Sequence, residues 1–188
     1  WAGLHFTHSY YKSITLSYFS MKNGGVSNWD NSGLTIYNRY NHEGIHVSHG
    51  DISGALDDAV MLGYNSMYND TDGDGNYNWG EIEISNLHIH HNGSDGLYSY
   101  YNRYNKVTLD SLHIHDNDDN GVYMGSEYYP VELNLTNSTI ENNEQAEIYA
   151  SYINLSDPNV QFHVNHNTIR DTVNINWSRN HANSLVYT

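Results

Sequence analysis

The chain has 188 residues, enough for one domain with a sizeable core. Its 22 acidic and 7 basic residues leave a formal charge of −15, which argues against nucleic acid or an anionic membrane as a partner, since both are polyanions. Cysteine is absent, which excludes a disulfide framework and thiolate metal sites, and no apolar run is long enough to span a membrane.

An apolar anchor recurs along the chain at Leu16, Val47, Ile84, Leu109, Leu135 and Val164, in steps of 31, 37, 25, 26 and 29 residues. Leu4 begins the same pattern one coil earlier. Leu16 is followed by Met21 and, behind an insert around Trp29, by Leu34. Val47 is followed by Ile52 and Val60. The clearest copies come next: SNLHIHHNGSDGLY over 85–98 and DSLHIHDNDDNGVY over 110–123, 25 residues apart. They supply Ile84, Ile89 and Leu97, then Leu109, Ile114 and Val122. Leu135, Ile140 and Ile148 follow, and Val164, Ile169 and Ile175 close the series.

Within each copy apolar and polar residues alternate, as in Leu87 and Ile89 against His88 and His90, and no helical period survives. Three short strands per repeat, punctuated by Gly, Asn and Asp and stacked about 4.8 Å apart, make a parallel β-solenoid. The spacing predicts an all-β fold, a right-handed parallel β-helix of about six to seven coils occupying 1–188 as a single domain.

The string I-S-N-L-H-I-H-H-N-G-S-D-G-L-Y resembles the repeat of the pectate-lyase-like superfamily of parallel β-helices. The opening W-A-G-L-H-F, with S-I-T-L-S-Y-F-S-M-K-N-G-G, is similar to repeat proteins secreted by bacteria. The resemblance covers nearly the whole chain and implies an extracellular or cell-surface location. It leaves activity open, because the fold carries lyases, glycosidases, epimerases, adhesins and structural spikes. Leu4 already lies on a core column and Leu185-Val186 starts another strand, with no amphipathic capping helix. The expectation is a segment of a longer solenoid with flanking domains, or a unit that associates end to end.

The sharpest chemical motif is the insert at 70–81. Asp70, Asp72, Asp74, Asn78 and Glu81 fall at positions 1, 3, 5, 9 and 12 of a calcium loop, with Gly75 at position 6 and the Asn76 carbonyl at position 7. Glu81 runs straight into a strand, so the loop is a calcium staple on the solenoid without the helices of a helix–loop–helix hand.

His88 stacks on His113 and His90 on His115, all facing outward, so the four are candidate ligands for zinc or another transition metal, with His91 and Asp116 beside them. Tyr98, Tyr123 and Tyr149 form an outward column, and Tyr37-Asn38-Arg39 recurs as Tyr101-Asn102-Arg103. Aromatic faces with amides and guanidinium groups suit a polysaccharide or cell-surface glycan.

Asp57, Asp58 and Asp95 are the candidate catalytic carboxylates. The strings N-H-E-G-I-H-V (41–47), L-D-D-A-V (56–60) and N-G-V-Y-M-G-S (120–126) resemble motifs of polygalacturonase-type glycosidases, in which paired carboxylates act as acid and base. Glu43 stands where that family carries Asp, and Asn120 where it carries His. The reading adopted is an extracellular, non-catalytic, calcium-stabilised module that binds polysaccharide. The alternative is a calcium-dependent polysaccharide lyase or epimerase, or a glycoside hydrolase.

Overall fold

The computed structural model describes residues 3–7, 13–25, 32–37, 44–63, 80–102, 105–125, 131–151, 160–176 and 185–187. Their secondary structure is entirely strand. β1 (Leu4–Thr7) is followed by three coils in which a long strand precedes a short one: β2 (Ile14–Lys22) and β3 (Leu34–Tyr37), β4 (Ile45–Ser53) and β5 (Val60–Gly63), β6 (Gly80–His90) and β7 (Leu97–Tyr100). In the next coils the long strand divides. β8 (Asn105–Asp110), β9 (His113–His115) and β10 (Asn120–Gly125) are followed by β11 (Val131–Thr136), β12 (Thr139–Glu141) and β13 (Ala146–Ser151). Then come β14 (Val160–Asn165), β15 (Thr168–Arg170), β16 (Val173–Asn176) and β17 (Leu185–Tyr187).

Among the described residues all strand pairs are parallel, and the two sheets follow from the repeat. One is seven-stranded, in the order β1-β3-β5-β7-β10-β13-β16, and the other is ten-stranded and bent. Parallel strands in one sheet need a long crossover, and here the rest of each coil is that crossover. Equivalent positions lie side by side, as in Ile84 against Leu109, Leu109 against Leu135 and Leu97 against Val122. The chain is therefore a parallel β-solenoid.

The three apolar columns read from the sequence line the interior, and flanking columns join them: Ile45, Ile82, Val107 and Leu133 on one leg, Ile36, Leu62 and Met124 on another. Burying each such side chain stabilises the fold by about 1.5–3 kcal/mol. All three anchor columns are buried together in four coils, those of Val47, Ile84, Leu109 and Leu135. The solenoid accordingly has about 4 turns, a correction to the six to seven predicted. In the outer coils Leu16 and Ile169 are only partly buried, because an end coil has a neighbour on one side alone, and the repeat count scored those coils as complete.

Two corners per coil turn through the left-handed region. The first column is Tyr18, His49, Asn86, Ser111, Asn137 and His166, with φ between 51° and 57°. The second includes Asn23, Gly54, His91, Asp116 and Asn142. Asn and Asp tolerate this conformation by bonding their own backbone, whereas a bulky Tyr does so at a steric cost. Tyr18 is 82% exposed and stacks on His49 at 4.8 Å.

Candidate functional site

The register sorts the candidate residues into three environments. Asp58 and Asp95 lie in the turns before β5 and β7, buried, on adjacent coils. Asp58 Oδ1 accepts the Asp95 backbone N–H at 3.1 Å, and Asp95 Oδ1 accepts both the backbone N–H and the side-chain amide of Asn120, at 2.9 and 2.8 Å. Burial, then the charges of Asp95 and Asp57, pushes the Asp58 carboxyl up to about 8. Burial raises Asp95 to about 6 against the opposing hydrogen bonds from Asn120. Raised acids inside a shell of their own hydrogen bonds tie coil to coil. A parallel ladder does the same one corner away: Asn92 donates to Asn117 Oδ1 and Asn117 to Asn143 Oδ1, each at 2.8 Å. Asp57 is half-buried beside the acidic ladder.

The tyrosine column lies on the outer face of the seven-stranded sheet. Tyr98, Tyr123 and Tyr149 are in register and stack with centroids 4.9 and 5.3 Å apart and planes 15° and 22° off parallel. The rings cover one another's inner faces and leave their edges outward. Gly125 makes room for this packing, since a Cβ there would lie 2.5 Å from Tyr123 Cε1. The Tyr123 hydroxyl shares a 2.9 Å hydrogen bond with Ser151 Oγ. Tyr100 extends the patch along the sheet and meets Tyr101 edge-on at 4.4 Å. Burial, then neighbouring Tyr123 and Asp58, drives the Tyr98 phenol well above its ordinary range, so it stays protonated. Tyr37 is half-buried at the end of β3, while Arg39 and Arg103 lie outside the described residues.

Of the calcium loop, Asp70, Asp72, Asp74, Asn76 and Asn78 lie outside the described residues. Glu81 is exposed at the start of β6, opposite Lys106 of the next coil.

The four histidines form one compact group on the outer face of the bent sheet. Ile89 and Ile114 alternate with them, point inward and are fully buried, which turns His88, His90, His113 and His115 outward. His88 stacks on His113 at 5.1 Å and His90 on His115 at 5.2 Å. His88 also meets the diagonal residue, with the two Nε2 atoms of His88 and His115 only 2.7 Å apart. Three carboxylates stand behind the rings. Asp51 Oδ2 lies 3.2 Å from His88 Nδ1 and 3.3 Å from His90 Nε2. Asp116, aimed back by its left-handed corner, lies 2.7 Å from His115 Nδ1. Glu141 lies 3.4 Å from His113 Nε2 and also bonds Arg170.

The surroundings of His88 favour its neutral form. Burial and then the adjacent His90, His115 and His113 lower His88, with Asp51 opposing. The bond to His115 holds Asp116 below the usual carboxylate range, and the bond to His113 does the same for Glu141. Asp51 and Glu141 were not among the residues singled out by motif, yet the register contains them. Asp51 follows Val47 by the same four residues that separate His88 from Ile84, and Glu141 sits opposite His115.

No family model, curated protein or solved structure matches the chain.

Proposed function

We propose that the protein is a non-catalytic, extracellular module, a right-handed β-helix of the pectate-lyase-like kind that presents its tyrosine face to polysaccharide and is stapled by calcium at 70–81. The observation that carries this reading is the stacked column Tyr98, Tyr123 and Tyr149, held rigid over a glycine-relieved sheet. A ladder that offers aromatic edges and hydroxyls at each coil matches a chain of sugars, whose hydroxyls also repeat along one direction. Right-handedness follows the crossover preference of parallel strands. An extracellular setting fits the loop pattern, because extracellular calcium modules work at about 0.1–1 mM affinity.

The non-catalytic part rests on the acidic ladder. A general acid and base must reach a substrate within hydrogen-bond distance, whereas Asp58 and Asp95 are buried and bonded to the next coil. The test is a panel of neutral and acidic polysaccharides, scored by affinity electrophoresis in calcium and by product release. Binding that weakens at least tenfold in Tyr123→Ala, without new reducing ends or unsaturated products, is the expected result. Turnover that is lost in Asp58→Asn would instead establish the enzyme.

A further inference from the structure

We propose that His88, His113 and His115 hold one divalent transition-metal ion of the zinc class, oriented from behind by Asp51, Asp116 and Glu141. Asp51 Oδ2 stands at His88 Nδ1 and Asp116 Oδ2 at His115 Nδ1, contacts that a ring hydrogen on each Nδ1 satisfies. A neutral imidazole with its hydrogen on Nδ1 has a bare lone pair on Nε2. With both rings in that form the two Nε2 atoms face each other at 2.7 Å, an arrangement that repels unless a proton or a metal ion lies between them. His113 is the third donor, with its ligating nitrogen within 4.8 Å of the other two.

The group has the layout of a histidine metal centre rather than of a polar ladder. His88 and His115, whose Nε2 atoms face the site, each have a carboxylate at Nδ1, the arrangement that fixes tautomer and orientation in zinc sites. The ligands sit on strands of neighbouring coils, anchored by fully buried Ile89 and Ile114, so the geometry is set by the core. Zinc–nitrogen bonds of about 2.0–2.1 Å in a tetrahedron require the two Nε2 atoms to part by less than about 1 Å. Three protein ligands leave a fourth position open to solvent, as the exposure of His113 allows. His90 is placed differently. Its Nε2 points to Asp51 and its Nδ1 bonds His91 at 2.8 Å, so both its nitrogens are used within the protein.

The competing triad Asp51, His88 and His90 also has its ligating atoms within 4.8 Å of one another. It shares His88, so the two arrangements predict the same stoichiometry and differ in which substitution abolishes binding. The buried Asp51 Oδ1 makes no hydrogen bond, which fits a carboxylate recruited through its other oxygen alone.

The test uses the whole chain without a polyhistidine tag, saturated with calcium so that the 70–81 loop is already filled, and titrated calorimetrically with zinc. One equivalent at micromolar affinity is expected. His115→Ala should abolish binding, Asp116→Asn should weaken it about 10–100-fold, and His90→Ala should change it by less than about threefold. All three positions lie on the outer face, and a thermal melt confirms that each variant folds. Cobalt titration of the unaltered chain is independent of any variant and should give the intense visible absorption of a four-coordinate site. No zinc uptake and no such absorption would overturn the proposal. So would binding that survives His115→Ala but is lost in His90→Ala, which would place the ion at Asp51.

Discussion

The asparagine ladder and the histidine group are built from the same repeat and sit one corner apart, yet they end in opposite states. Asn92, Asn117 and Asn143 are buried, and each side-chain oxygen accepts hydrogen bonds from the neighbouring coil. His88, His113 and His115 point outward and are held by carboxylates so that the Nε2 atoms of His88 and His115 converge. Stacking polar residues in register therefore does not make a site. A ladder whose donors and acceptors match is closed to ligands and gives stability. A ladder whose polar atoms converge on the outer face stays open to a partner from solution.

The strongest way to sharpen that contrast is through pH at the acidic ladder. Folded Asp58 keeps its proton up to about pH 8, while the unfolded carboxyl releases it near 3.8, so the folded state binds more protons across that window. Stability is then full below pH 3.8 and falls as pH rises toward 8, by on the order of 5 kcal/mol for this group alone. Asp58→Asn keeps the oxygen that accepts from Asp95 and removes the titration. Urea unfolding at pH 5 and pH 8 should show a much smaller difference in the variant, and an unchanged difference would show that Asp58 is not the group responsible.

A smaller effect is expected at the asparagine ladder. Asn117→Ala leaves the Asn92 amide donors without their acceptor in the interior and should cost about 2–4 kcal/mol. His113→Ala, on the open side, should cost under about 1 kcal/mol in the absence of metal. Equal losses in the two melts would erase the distinction between closed and open ladders.

Calcium at the 70–81 insert should come next. At about 10 mM calcium and an affinity of about 0.1–1 mM, the ion stabilises the fold by about 1.4–2.7 kcal/mol. Chelation should lower the melting temperature accordingly, and Asp72→Ala should remove that sensitivity. A melt indifferent to chelator would discard the staple. The smallest expected change is at the first corner column. Tyr18 holds a left-handed φ of 56° where the equivalent corner in the third coil has Asn86, and Tyr18→Asn should raise stability by up to about 1 kcal/mol. A loss instead would mean that its stack on His49 outweighs the strain.

Much of this architecture was legible from the residues in order. The interval between LHIHHN and LHIHDN predicted the stacking of Ile89 on Ile114 and of His88 on His113, because a solenoid converts sequence period directly into spatial neighbourhood. The outward turn of the histidines followed from alternation with buried isoleucines. Less legible was the number of turns, since burial of Leu16 and Ile169 depends on what covers an end coil. The inward position of Asp58 and Asp95 was also hidden, because Asp before Gly or Ala in a turn reads the same whether it faces water or the next coil.

The sequence alone determined which residues share a column, since the repeat places them there whatever their side chains do. The tertiary structure decided which columns are sealed and which can act. That decision depends on ring tautomer, on which corner aims a carboxylate, and on contacts between diagonal rather than directly stacked residues. His88 meets His115 across the diagonal, backed by Asp51 from the coil before and Asp116 from the corner after. Such contacts combine neighbouring columns with the left-handed turn at Asp116, and a one-dimensional period carries information about neither.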